Sequence, residues 1–226
     1  MIKRIIFILI FFSLYLCSIA QFSIGLEGGA AISFTKTHIE TIYKNTQSFD
    51  KSHPLWITPI GGLMVNVFFN KRFSLQSEIL YENEGYGGYN RNYPLGYIYF
   101  PEMIRYKIPL NTASDMSFFI EAGAYFSYCC YYSNINFLFS GSHNISRTDI
   151  GMITGLGYKQ EWGIGQIEFC LKFEHNFIGQ NTTSYLNEGE ISNTAFYNIL
   201  SLTVGYSLQV ETIKKLLHSV KHEKKK

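Results

Sequence analysis

The chain has 226 residues, a formal charge of +2 near neutrality, 16% charged and 46% hydrophobic residues. That length suits one ordinary domain or a single barrel, and the balanced charge with no basic stripe on the body excludes a nucleic-acid-binding protein. Beyond residue 20 no uncharged apolar run approaches 18 residues, which excludes a helical membrane protein.

Lys3 and Arg4 open the chain, and an uncharged apolar run of twelve residues follows from Ile5 to Leu16. A helix needs about 20 such residues to cross a bilayer, so this run is too short to be an anchor. Small residues at Ser18 and Ala20 suit a signal-peptidase site before Gln21. Residues 1–20 therefore read as a secretory signal peptide. Leu16 is bulky where lipoprotein processing at Cys17 would want a small residue. From Gln21 to Val210 there are 11 basic and 15 acidic residues, whereas the tail from Glu211 has 6 and 2. A slightly acidic body thus precedes a basic tail.

The body alternates between apolar and polar residues in segments of about ten, the signature of strands with two different faces. The first segment sets Phe22, Ile24, Leu26, Ala30, Ile32 and Phe34 against Ser23, Gly25, Glu27, Gly29 and Ser33. The second sets Ile57, Leu63, Val65, Val67 and Phe69 against Thr58, Gly62 and Asn66. The third sets Phe73, Leu75, Ile79 and Tyr81 against Gln76, Glu78 and Glu82. In the fourth, Ile98, Phe100, Ile104, Tyr106 and Ile108 oppose Tyr99, Arg105 and Lys107. Glu102 breaks that pattern by falling on the apolar face, and Pro101 beside it predicts a bulge or edge irregularity.

The fifth segment opposes Phe118, Ile120, Ala122, Ala124 and Phe126 to Ser117, Glu121, Gly123 and Ser127. The sixth opposes Ile150, Met152, Leu156 and Tyr158 to Asp149, Gly151, Gly155, Gly157 and Lys159. The seventh opposes Ile167, Phe169, Leu171 and Phe173 to Gln166, Glu168, Cys170, Lys172 and Glu174. The eighth opposes Leu200, Leu202, Val204, Tyr206 and Leu208 to Ser201, Thr203, Gly205, Ser207 and Gln209.

Connections alternate in length. Asn70–Arg72, Asn111–Asp115 and Glu161–Gly163 are short; residues 35–54, 85–96, 129–147 and 179–194 are long. Short periplasmic turns and long outer loops are the plan of an outer-membrane barrel. A closed barrel also satisfies every backbone polar group without water. The reading is an all-β fold: an eight-stranded antiparallel transmembrane β-barrel over residues 21–210, in the cell outer membrane after cleavage near Ala20. Tyr81, Tyr106, Tyr158 and Tyr206 fall near strand ends, where an aromatic girdle belongs. The alternative is a soluble lipocalin-like barrel, with the charged face in water and the apolar face inside.

Several stretches carry a family likeness. They are Phe22-Ser23-Ile24-Gly25-Leu26-Glu27-Gly28-Gly29, Tyr99-Phe100-Pro101-Glu102-Met103-Ile104-Arg105-Tyr106, Phe119-Ile120-Glu121-Ala122-Gly123-Ala124-Tyr125, and the run from Asp149 to Tyr158. Over about residues 21–210 the chain resembles the PorT-type outer-membrane β-barrel family of Bacteroidetes. The resemblance implies an outer-membrane barrel; one branch of that family is linked to a secretion system. Glu102, where the family has an apolar residue, and the tail beyond Val210 depart from it.

No catalytic motif stands out. Ser184 or Ser146 with His175 or His143 could compose a serine–histidine set, but no G-x-S-x-G marks a nucleophile. Cys129, Cys130 and Cys170 form neither a disulfide framework nor a zinc pattern. His218 and His222 lie four apart without a third ligand. No cofactor and no metal are therefore expected. An eight-stranded barrel is just wide enough to be filled by its own side chains, so Glu78, Arg105, Lys107, Glu121, Glu168 and Lys172 are expected to pair inside it. Tyr86, Tyr89, Tyr93, Tyr131, Tyr132 and Phe137 in the long loops are candidate binding residues for a protein or glycan. In the tail, residues 211–226, Ile213, Leu216, Leu217 and Val220 form a helical stripe among lysines, suited to a membrane surface or a periplasmic partner. The functional expectation is a non-enzymatic structural or binding component of the envelope, within a secretion or surface assembly. The alternatives are a lipid-modifying rim enzyme and a small pore or transporter.

Overall fold

The computed structural model describes residues 21–42, 47–52, 55–87, 92–108, 116–132, 143–145, 147–177, 180–186 and 189–210. The expected signal peptide, the Asn111–Asp115 turn, Tyr89, Phe137, Ser146 and the basic tail lie outside them. Eleven strands run β1 (Gln21–Ile42), β2 (Gln47–Ser52), β3 (Trp56–Phe68), β4 (Phe73–Gly87), β5 (Asn92–Ile108), β6 (Met116–Tyr132), β7 (His143–Ile145), β8 (Thr148–Trp162), β9 (Gly165–Asn176), β10 (Gln180–Leu186) and β11 (Gly189–Gln209).

Eight of them close a ring in the order β1-β3-β4-β5-β6-β8-β9-β11, with β11 returning to pair with β1. All these pairings are antiparallel. Each of the eight alternating segments falls in one of these strands, Phe69 of the second lying one residue past the end of β3. Closure leaves no ring strand with a free edge inside the apolar layer, as a bilayer demands.

The faces are sorted as a membrane requires. Ile57 is 70% exposed, Leu26 65%, Ile104 61% and Leu156 60%, whereas Lys172 and Glu82 are 0% exposed inside the ring. A lipocalin-like barrel would show the reverse, so the soluble alternative fails. Tyr106 and Tyr158 pack on Phe73 and Phe118 at the end where the chain enters, with ring centroids 5.0 and 5.5 Å apart. They form part of the expected girdle there.

The turns at that end are tight. Asn70 Oδ1 accepts from the backbone N–H groups of Arg72 and Phe73 at 2.8 and 2.9 Å, an Asx turn. Between β8 and β9, Trp162 pairs with Gly165, so the connection is Gly163-Ile164. Gly163 has φ of 62°, the left-handed region that a two-residue hairpin requires at its first central position.

The opposite end departs from the expected long loops. β1 and β11 stay paired from Ser23↔Gln209 to Ile42↔Glu190, well past the ring. β2 adds to the far part of β1 at Lys36–Thr41, β10 adds to β11, and β7 adds to β10. The result is a five-stranded outer sheet, β2-β1-β11-β10-β7, continuous with the barrel wall. β4 and β5 likewise remain paired to Gly87↔Asn92. What reads as loop in sequence is largely hairpin extension.

The irregularity expected at Pro101 takes a different form. The β4–β5 ladder is interrupted between Ser77↔Glu102 and Leu80↔Tyr99 without a change of register. Proline lacks the N–H for that ladder but adds no residue. The register shift lies at Gly96/Tyr97, opposite Cys129 and Tyr131, with Cys130 as the extra residue. Cys130 Sγ is 3.3 Å from the Gly96 carbonyl oxygen.

Candidate functional site

Inward-facing positions of neighbouring strands bring charged residues that are distant in sequence into one column. Lys172 on β9 donates to Glu27 Oε1 at 2.6 Å and to both Glu78 oxygens at 2.7 and 2.8 Å. Gln76 donates to Glu78 as well. A second cluster centres on Arg105 of β5. It reaches Glu121 Oε2 through Nε and Nη2 at 3.0 and 2.8 Å, and Glu168 Oε2 through Nη1 at 2.5 Å. Lys159 lies 2.8 Å from the other Glu168 oxygen, and the Cys170 thiol donates to Glu121 at 3.1 Å. Arg105 also lies over the Phe119 ring at 3.7 Å. Such pairs offset the desolvation of buried charge only as far as hydrogen bonds satisfy them, and here Glu27 Oε2 and Gln76 Oε1 are buried without one.

The expected lumen pairs therefore form for Glu78, Arg105, Glu121, Glu168 and Lys172. Lys107 differs: it is exposed at the mouth and makes no ion pair among the described residues. Glu27 and Lys159 join instead. The rest of the lumen is more apolar than the alternation suggests. Ile60, Met64, Leu80, Met103, Ile153 and Ile199 all point inward and are buried. Nearer the outer end, Tyr97, Tyr99 and Tyr125 stack at 6.0 and 5.6 Å, and the Tyr125 hydroxyl donates to Asp149 at 3.3 Å. The middle of the barrel is filled by side chains.

At the entry end, below the Arg105 cluster, the lumen opens into a cavity of about 460 Å³. Phe68 and Phe119 line it, with Gln21 and Gln209 from the first and last strands. Five lining side chains are basic (Lys71, Arg72, Arg105, Lys107 and Lys159) and one, Glu161, is acidic. Sequence reading did not single out this mouth, because its residues come from a turn and several strands.

On the outside wall, Glu102 is exposed midway along the apolar face of β5, between Phe100 and Ile104. Ser77 donates to it from β4 at 2.6 Å. The departure noted at Glu102 in sequence is thus a carboxyl group on the lipid side.

The candidate loop aromatics fall on strands where they are described. Tyr86 pairs with Tyr93 in the β4–β5 extension, and Tyr131 and Tyr132 pair with Gly96 and Leu95. Four of the six residues are thereby drawn to one corner of the outer rim. The structure makes Ser184 and His143 partners in the β10–β7 ladder and sets His175 apart from them on β9, 2.7 Å from Asn198 through Nδ1. Among the described residues no cluster of histidine, cysteine and carboxylate side chains could hold a metal. Cys129, Cys130 and Cys170 are thiols rather than disulfides.

Residues 19–181 match the family model described as the outer membrane protein beta-barrel domain. The chain belongs to that family. Among solved structures, OprG from Pseudomonas aeruginosa is similar over 82% of this chain and 95% of its own, at 13% identity and a TM-score of 0.59. Neisserial surface protein A is similar over 79% of this chain and 97% of its own, at 12% identity and a TM-score of 0.42. No curated protein matches the chain. The OprG likeness bears on the fold alone. Family membership and the lipid-facing apolar wall together make this an outer-membrane barrel.

Proposed function

We propose that the chain is a non-enzymatic binding component of the cell envelope whose working surface is the outer five-stranded sheet. One observation carries this reading: the first and last barrel strands continue past the ring and recruit β2, β10 and β7. A structure meant only to span the membrane has no use for strands of 22 and 21 residues, since about ten suffice. Among the described residues the sheet ends in two unpaired edges, β2 and β7. Unpaired strand edges recruit extended partner segments by strand addition. The paired corner carrying Tyr86, Tyr93, Tyr131 and Tyr132 adds aromatic residues of the kind enriched in interfaces. Membership of the PorT-type branch, and of a secretion or surface assembly, is part of the same proposal. So are export by the residue 1–20 signal and a membrane-surface role for the tail.

The test is a chimera in which residues 36–53 and 180–195 are each replaced by a short turn. The chimera is expected to keep heat-modifiable gel migration and to fail to rescue a strain lacking the gene. Full rescue by a chimera without the outer sheet would refute the reading. Retained heat-modifiability also separates this result from simple misfolding.

A further inference from the structure

We infer that the basic cavity at the entry end of the barrel is a binding site for a phosphate group. It is independent of the outer sheet and faces the other side of the membrane. Three observations converge on it. The first is charge. Arg105 and Lys159 are held by Glu121 and Glu168, but Lys71, Arg72 and Lys107 make no ion pair among the described residues. Glu161 is the one acid lining the space among the described residues. Three cations thus border a cavity against a single described carboxylate.

The second is donor capacity. Arginine carries five N–H donors and lysine three. Arg105 engages its carboxylates through three hydrogen bonds, and among the described residues the one ion pair of Lys159 is with Glu168. Both line the cavity floor and retain unused donors. Arg105 is 5% exposed, fixed by its two carboxylates and by Phe119, so its planar fork is held in place before a ligand arrives. The Gln166 carboxamide also lines the space, and its NH2 group is the part that can donate to a phosphate oxygen.

The third is size and polarity. About 460 Å³ exceeds what an inorganic anion needs and falls in the range of small-molecule sites. Phe68 and Phe119 supply an apolar wall beside the cations. A phosphate ester with an organic body satisfies both. Phosphate is favoured because several cations around one point suit an oxyanion with three oxygens to share, and because guanidinium matches it bidentately. The phosphate could come from a soluble ester or from a phospholipid headgroup at the rim, where the Lys71–Arg72 turn lies.

The full mature chain, refolded in nonionic detergent, is titrated with inorganic phosphate and with glycerol 3-phosphate while the Gln166 side-chain amide resonance is followed. The same chain is placed in nanodiscs of mixed phosphatidylglycerol and phosphatidylcholine, and the retained lipid is identified by mass spectrometry. A saturable Gln166 shift with soluble phosphate, weakened about tenfold or more in Lys71→Gln/Lys107→Gln, supports the site with a soluble ligand. Selective retention of phosphatidylglycerol, lost in the same variant and competed by phosphate, supports it with a headgroup. Neither effect in the wild type, or binding that the double variant leaves unchanged, overturns the proposal. Both lysines of the variant lie at the solvent-exposed mouth, so its folding is checked by heat-modifiability. If it fails to fold, the wild-type Gln166 titration alone decides.

Discussion

Replacing Lys172 with methionine should be the most damaging single change in the barrel that alters almost no volume. Lys172 is 0% exposed and holds Glu27 and Glu78 through contacts of 2.6–2.8 Å. Methionine fills nearly the same space but leaves two carboxyl groups buried without their cation. Breaking a buried pair this way costs about 3–5 kcal/mol, most of it the stranded partner rather than the lost attraction. Glu78→Gln alone leaves Lys172 paired with Glu27 and should cost about 1.5–3 kcal/mol, the worth of a hydrogen bond to a charged group. The triple variant Glu27→Gln/Glu78→Gln/Lys172→Met removes the charges together and should recover most of the loss. Stability is read by reversible urea unfolding in lipid vesicles, using the fluorescence of Trp56 and Trp162. These tryptophans sit at opposite ends of the barrel, at the start of β3 and the end of β8. A Lys172→Met variant within about 1 kcal/mol of wild type would refute the reasoning, as would a triple variant no more stable than the single.

Three further outcomes are expected. Glu102→Leu, which removes a carboxyl group from the lipid face, should raise stability by about 1–2 kcal/mol in the same assay, since such charges are costly near the midplane. Gly123→Ala should destabilise by at least about 1–3 kcal/mol. A Cβ there would lie 1.9 Å from the Glu102 carbonyl oxygen, and that backbone is held in the ladder. In planar bilayers the folded chain should show no steady conductance, because the Lys172 and Arg105 clusters fill the lumen; sustained ohmic current from wild type would contradict that filling.

The barrel strands were legible because each one has a lipid side and a lumen side, and that difference writes a period of two into the sequence. The seventh segment, Gln166–Glu174, shows it most cleanly and lies wholly within β9. The outer sheet left no such trace. The stretches Lys36–Ile42 and Gln180–Leu186 are mostly polar, and neither carries a continuous apolar face. Inward Ile60, Met64 and Leu80 were equally hidden, because an apolar residue on the lumen side looks like a lapse in alternation. The basic mouth was invisible for another reason. Lys71 and Arg72 sit in a turn, Lys107 on β5 and Lys159 on β8; a backbone hydrogen bond of 2.7 Å sets Lys107 beside Arg72, and the curvature of the ring brings Lys159 to the same mouth. Pro101 marked an irregularity that is a gap in the ladder rather than a bulge, since a missing N–H deletes a hydrogen bond whereas a bulge needs an extra residue.

The long seam between β1 and β11 has a consequence for timing. Its two halves are the first and last strands of the body, so this pairing spans the greatest possible stretch of chain and carries the largest loop-closure cost. The same seam forms the middle of the outer sheet, with β2 on one side and β10 on the other. A half-built barrel can make the flanking hairpins but cannot join them. The complete surface is therefore presented only by molecules whose wall has already shut, and any partner that reads both halves at once meets finished barrels alone.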